Sequence, residues 1–491
     1  MKQVLFAHRY FLFFLPIFIG ILIFFHFKGI IYYDEGYILN SGLRIAHGQI
    51  PYRDFDLVYT PIASVITATY FKLFGESVFA GRLVAFSFSL TSLFALYKIL
   101  KYITKNTFLI IVSLLFFIAW GPTHINFPWP TMVALCFFLS TLFFYLTGVA
   151  KKNSTYFYFA GIMSFLTFLA KQNFGIGIIA VSLLIFFFNK LPRKKILLSS
   201  YLLGIGTIFL ILLAIGMQTA SLIPFFDNLY IYTFKRILVD KVLDTPFIYE
   251  GSLLTKCAKL IFYFFPFLLS ITGGVLTKSS QKKLFIIPLF VAVFYLLGIR
   301  PTTDYNHFVP LLALSCLPLT ICIEYVKNNN LKKLFIFLLM SMMFFGFYTA
   351  YFKSYYKWDP PLRYNTAFDT NPRIHVYLQP GKIEDVNTLV TYIDKNTSNN
   401  ESIYLNFYAP IIYFLTNREN PTRYDLPSTI DIPIIYQTHI VDSLEKKKTK
   451  IIIIAYANRF EKSLVSTYIK KQYHVKKRLG DFLIFQRNST K

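Results

Sequence analysis

The chain has 491 residues, of which 55% are hydrophobic and 19% aromatic. That share exceeds the roughly half apolar content of a soluble domain, which excludes a disordered chain and a single soluble globule. The net charge of +26 falls in short clusters between apolar runs and in a polar C-terminal part, which is a topogenic distribution and not a nucleic-acid surface.

The first apolar run, at about 10–31, follows Lys2 and Arg9. It is long for the apolar part of a signal peptide and has no small-residue cleavage site, so it reads as a retained first span with its amino terminus inside. Runs near membrane length recur at about 79–100, 107–121, 130–149, 155–170, 174–189, 196–217, 257–277, 284–299, 308–326 and 334–352. Each approaches the length needed to cross a hydrocarbon core of roughly 30 Å. The count is about eleven spans. With that count, the basic clusters Lys101 to Lys105, Lys151-Lys152, Lys190 to Lys195, Lys278 to Lys283 and Lys327 to Lys333 all fall inside, in keeping with the positive-inside rule. Cys136, Cys257, Cys316 and Cys322 all lie in apolar runs, with neither metal spacing nor a disulfide framework.

The first outer loop, 32–78, is long and not simply polar. Two short amphipathic segments, Gly36 to Gly48 and Pro61 to Phe74, flank a Pro-Tyr-Arg-Asp-Phe turn at 51–55. They are too short to span and read as helices lying along the outer interface. Later outer loops are Gly121 to Pro130, the longer mixed stretch 218–256, and Arg300 to Pro310.

After Lys353 no run is long enough to span, and strand-like and helix-like segments alternate. Strands are expected at 402–407, 451–456 and 482–486, and helices at 410–416, 434–446 and 461–473. That alternation predicts a small α/β domain with a partly parallel sheet. The expected organisation is therefore a polytopic α-helical membrane domain over 1–352, including the 32–78 loop, and an extracytoplasmic α/β domain over 353–491.

Asp34 and Glu35 stand three residues past the first run, at the water end of a span. Acids at a hydrated helix end are commonplace. Their context is more specific: Asp-Glu-Gly-Tyr at 34–37, Arg44, the Pro-Tyr-Arg-Asp turn, Thr60-Pro61, and Phe71-Lys-Leu-Phe-Gly-Glu-Ser-Val-Phe-Ala-Gly-Arg-Leu83. This stretch resembles the first outer loop of the GT-C superfamily of integral-membrane glycosyltransferases. It is most similar to bacterial relatives of the protein O-mannosyltransferases, the aminoarabinose transferases and the lipopolysaccharide-core galacturonosyltransferases.

The resemblance implies an inverting transferase of the cytoplasmic membrane that takes a sugar from a polyprenyl-phosphate carrier at the outer face. It implies Asp34 as general base toward the acceptor hydroxyl, with Glu35 orienting it or holding a divalent cation. The departing phosphate needs cationic stabilisation, and Arg44, Arg53, Lys171 and Arg300 are the candidates on the outer side, each also suited to pairing with lipid headgroups. Lys171-Gln172 interrupts two apolar runs on the outer side, against the positive-inside trend, and a similar Lys-Gln pair followed by Gly occurs in related sequences. Tyr305 and His307 resemble a His-Tyr segment beside the donor phosphate, here loosened to Asn306-His307-Phe308. His124 is a candidate metal ligand or substrate contact, although a lone loop histidine is a weak metal signal. Asn126 and Trp129 are candidate sugar contacts. The acceptor is open among a lipid, glycan or protein hydroxyl. The alternatives are a transporter or flippase for a lipid-linked glycan, for which polar mid-membrane positions would be expected, and a membrane scaffold.

Overall fold

The computed structural model describes residues 2–31, 33–188, 193–230, 252–280, 284–298, 305–352, 366–367, 371–378, 384–399, 401–406, 409–425, 434–455, 463–480 and 482–488. The chain divides into two compact units. One comprises Met1–Phe27, Val58–Ala63 and Arg82–Leu362; the other comprises Lys28–Leu57, Ser64–Gly81 and Arg363–Lys491.

Helices lie on all the apolar runs expected from the sequence. They are Lys2–His26, Val78–Ile103, Thr107–Trp120, Pro130–Lys151, Ser154–Ala170, Gln172–Phe188, Lys194–Gln218, Leu253–Ser280, Ile286–Gly298 and Asn329–Phe352, with the run at 308–326 divided into Tyr305–Ala313 and Cys316–Tyr325. The division has a covalent cause. Pro318 has no N–H to give the carbonyl of Leu314; Leu317 donates to that carbonyl instead, at 3.0 Å, in a tighter turn.

Among the described residues five helical segments are long and apolar enough to cross a bilayer: Val78–Ile103, Pro130–Lys151, Lys194–Gln218, Phe308–Tyr325 (taken across its tighter turn) and Asn329–Phe352. The other runs carry shorter apolar helices, such as Thr107–Trp120 and Ser154–Ala170. Within the helical unit, Phe308–Tyr325 is 89% enclosed by protein, whereas Lys194–Gln218 is only 17% enclosed. The second presents Leu203, Leu210 and Ile211 outward, an apolar surface that water would penalise and lipid does not. This is a multi-pass helical membrane protein.

Close backbone approach holds the helices of this unit together. A Cβ placed on Gly161 would lie 2.0 Å from the Tyr201 carbonyl oxygen, and one on Gly204 would lie 2.0 Å from that of Tyr158. Small residues at such a crossing maximise van der Waals contact where lipid supplies no hydrophobic drive between helices.

The second unit is built on a four-stranded sheet in the order Ile403–Leu405, Ile451–Ala455, Phe482–Arg487, Tyr473–Leu479. The first pair is parallel and the other two are antiparallel. The run Ile451 to Ile454 is apolar at every position because both faces of the strand are buried. Ile451 and Ile453 join a core with Leu39, Leu43, Leu389 and Phe414. Ile452 and Ile454 join a second core with Ile440, Leu444, Val465 and Ile469.

The segments of the 32–78 loop expected to be helical form the helices Asp34–Ala46 and Ile62–Phe74. Leu39, Leu43 and Phe71 belong to the core of the second unit, so most of this loop groups with residues 363–491 and not with the helices that it connects. Its apolar face is matched in the sheet unit, a pairing that no local pattern reveals.

Candidate functional site

The acidic pair lies in the second unit, in the first turn of the helix Asp34–Ala46. The helix dipole favours carboxylates at that end. The two acids are not equivalent. Glu35 is fully buried, and its Oε2 accepts the backbone N–H of Ile31 at 2.8 Å. Asp34 is partly exposed. Gly36 follows because the helix packs directly on the start of the Ile411–Thr416 helix: a Cβ there would lie 2.5 Å from the Ile411 nitrogen.

Arg44, on the same helix, is committed within this unit. Its Nη1 donates to Asp425 Oδ1 at 2.8 Å and its Nε to Gln49 Oε1 at 2.6 Å. The guanidinium stands 4.4 Å above the ring centre of Phe55. Asn40 and Asn420 also donate to Asp425, at 3.1 and 2.9 Å. Arg53 is exposed and pairs with its neighbour Asp54 at 2.8 Å. That hydrogen bond holds the Asp54 carboxyl below the usual range. Arg423 pairs with Asp56 at 2.6 Å, yet burial outweighs the guanidinium and leaves the Asp56 carboxyl above the usual range.

A second constellation lies in the helical unit. The helix Ser154–Ala170 stops at Lys171, whose backbone is extended (φ −155°, ψ 113°), and a new helix starts at Gln172. Gly175 permits the break: a Cβ there would lie 2.2 Å from Cα of Phe168. Lys171 is 5% exposed. Its Nζ donates to Thr131 Oγ1 at 2.9 Å and lies 5.2 Å from the ring centre of Phe174. Thr60 Oγ1 donates to the Phe168 carbonyl at 2.8 Å. Tyr59 meets Trp129 edge to face at 5.3 Å. The break thus gathers Tyr59-Thr60, Trp129, Thr131 and Lys171 from three parts of the chain. A buried ammonium set on a threonine hydroxyl and a ring face can give a charge-assisted hydrogen bond to an anion brought beside it.

Asn126 holds the end of the first helix. Its Nδ2 donates to the Phe25 carbonyl at 2.8 Å, and its own backbone carbonyl accepts from Arg82 Nη1 at 3.3 Å. Arg82 is fully buried and also donates to the His26 carbonyl at 3.0 Å, a cation at a helix C-terminus. His124 is buried, stacks on Trp120 at 5.6 Å, and has Nε2 3.4 Å from Thr349 Oγ1. Burial lowers its pKa to about 4, against opposing hydrogen bonds to the backbone of Gly346 and Ala119. No group of three or more His, Cys, Asp or Glu that could hold a metal occurs among the described residues, so neither Glu35 nor His124 stands in a metal-binding set there.

Arg300 lies outside the described residues, as do the side chains of Tyr305 and His307, whose backbones start the Tyr305–Ala313 helix. Sequence reasoning passed over Thr131, Arg82 and the Tyr59-Thr60 pair. Arg82 was visible in the Gly-Arg-Leu motif that carries the resemblance, but its role depends on carbonyls at the end of a distant span.

Two crystal structures of ArnT from Cupriavidus metallidurans share the fold. The one bound to undecaprenyl phosphate aligns with a TM-score of 0.59 at 12% identity, over 99% of this chain and 99% of that one. The apo structure aligns with a TM-score of 0.61 at 13% identity, over 98% of each. Among curated proteins no sequence match reaches significance. The likeness to these structures is one of fold. Residues 59–216 match the family model for dolichyl-phosphate-mannose-protein mannosyltransferase. That segment contains Tyr59, Asn126, Trp129, Thr131 and Lys171.

Proposed function

We propose that the chain transfers a monosaccharide from a polyprenyl-phosphate carrier to a hydroxyl of a lipid, glycan or protein, at the outer face of the cytoplasmic membrane. The observation that carries this reading is the Lys171 break: a buried ammonium held on Thr131, inside the segment that matches the mannosyltransferase family model. The ArnT relative with the same fold is described as bound to undecaprenyl phosphate, a ligand with the anionic group that such a lysine suits.

The reaction is a single displacement. The acceptor oxygen forms a bond to the anomeric carbon as the bond from that carbon to the phosphate oxygen breaks, with inversion at carbon. Asp34 takes the acceptor proton, and its partial exposure leaves the carboxylate accessible for this role. Glu35 acts as a positioning residue, pinning the start of the helix through the Ile31 N–H. Lys171 offsets the charge that the leaving polyprenyl phosphate gains. Arg300 remains a second candidate for that phosphate. Arg44, occupied by Asp425 and Gln49, is assigned to the architecture of its own unit.

The test uses the purified full chain with a panel of labelled polyprenyl-phosphate monosaccharides. Asp34→Asn is expected to lower sugar transfer by about 10²–10⁴-fold, the usual worth of a general base, with carrier binding retained. Lys171→Met is expected to weaken carrier binding. Unchanged turnover in both variants would overturn the assignment.

A further inference from the structure

Within the second unit a cleft of about 620 Å³ opens between the helix Ile434–Lys446 and the segments around Arg44 to Asp54 and Glu419 to Tyr424. Its volume is that of a small-ligand site. Three cations line it, Arg44, Arg423 and Lys447, and so do three carboxylates, Asp54, Glu419 and Asp442. Each cation already faces an acid: Arg44 meets Asp425 at 2.8 Å, Arg423 meets Asp56 at 2.6 Å, and Lys447 meets Glu419 at 3.6 Å. A phosphate or carboxylate ligand calls for a surplus of positive donors, and these paired cations leave none.

The wall formed by the helix is polar in a different way. His439, Asp442 and Ser443 line the cleft at positions i, i+3 and i+4, which share one helix face. The Tyr424 hydroxyl lies 3.3 Å from His439 Nδ1, setting an aromatic ring beside that row. Carboxylate, imidazole, hydroxyl and aromatic ring on one wall are the groups that bind vicinal hydroxyls and the apolar face of a sugar.

We propose that this cleft binds a neutral oligosaccharide, which serves as the glycan acceptor. The acceptor role rests on the transferase reading, whereas the binding does not. Saturation-transfer NMR on the detergent-solubilised full chain, without donor, would use mannotetraose, cellotetraose and tetragalacturonate as probes. At least one neutral tetrasaccharide should bind. Asp442→Ala should weaken it about tenfold, as expected for one lost charge-assisted hydrogen bond, and Ser443→Trp should abolish it by filling the cleft. Both substitutions fall on the outer side of a helix, and an unchanged thermal midpoint would exclude misfolding. Failure of both neutral probes, binding of tetragalacturonate alone, or binding indifferent to Ser443→Trp would each overturn the proposal. Retained saccharide binding in a chain inactive toward every donor would strike the transferase reading instead and leave the cleft standing.

Discussion

Arg44 and Asp425 are separated by 381 residues in sequence and form a buried ion pair at 2.8 Å. The pair joins the helix that carries the acidic motif to the segment that follows the Ile411–Thr416 helix. Asn40 and Asn420 satisfy the remaining carboxylate positions, as a desolvated pair requires. Removing one partner leaves the other charge buried and uncompensated. Asp425→Ala is therefore expected to cost about 3–5 kcal/mol, and Arg44→Ala a similar amount. The double change Arg44→Met with Asp425→Leu should cost less than either single change. Chemical unfolding of the solubilised chain checks this. A double variant as unstable as the sum of the two singles would show that the residues act independently.

The same pair marks the limit of what the sequence discloses. The membrane helices were legible because each is a local apolar run: expected boundaries such as 155–170 and 196–217 fall on Ser154–Ala170 and Lys194–Gln218. Helix Ile434–Lys446 and strand Ile451–Ala455 were likewise legible from local periodicity. The strand Tyr473–Leu479 was not, because it is an edge strand with five consecutive exposed residues, His474 to Arg478, and charged edges break the strand pattern. In the candidate site, Lys171 stood out as a charge between apolar runs. Thr131, 40 residues earlier, looked like any helix-starting threonine. Asp425 looked like a stray acid, since only the fold brings Arg44 to it.

Lys171 and Thr131 can be separated experimentally. If the ammonium pairs with the carrier phosphate, Lys171→Met should lower kcat/KM by about 10²-fold or more, in line with the loss of one preorganised electrostatic contact. Lys171→Arg should recover only part of this, because the enclosed site is shaped for a point charge. Thr131→Val removes the oxygen that holds Nζ at 2.9 Å while keeping the shape of the side chain. As a positioning residue, Thr131 should raise KM for the carrier several-fold and leave kcat nearly unchanged. Equal losses in kcat and thermal stability would instead mark a purely structural role.

Gly36 tests whether the acidic motif depends on its packing. A methyl group at this position would meet the Ile411 nitrogen at 2.5 Å and Ile411 Cβ at 2.7 Å. Backbone cannot yield as a flexible side chain can. Gly36→Ala is expected to destabilise the chain by about 1–3 kcal/mol through overpacking and to lower transfer, although neither acid is altered. Gly20→Ala is the matched control, since nothing lies within 4 Å of its added carbon. Activity and thermal midpoint measured on both variants decide the point. Equal behaviour of the two would mean that the contact at Ile411 relaxes freely.

His124 predicts a dependence on acidity. Its folded pKa of about 4 lies below the ordinary 6.5, chiefly because burial disfavours the charged ring. The neutral imidazole is therefore the folded form, and the unfolded chain binds the proton more readily. The contribution to stability is complete above pH 6.5 and is lost as the pH falls through 6.5 toward 4, a change on the order of 3 kcal/mol over the window. His124→Phe should keep the stacking on Trp120, seen at 5.6 Å, while removing the titrating group. The thermal midpoint of the solubilised chain should thus fall less steeply between pH 7 and pH 4 in the variant than in the parent. Parallel curves would show that His124 takes up its proton as readily in the folded chain as in the unfolded one, and that its enclosure beside Trp120 and Thr349 admits charge.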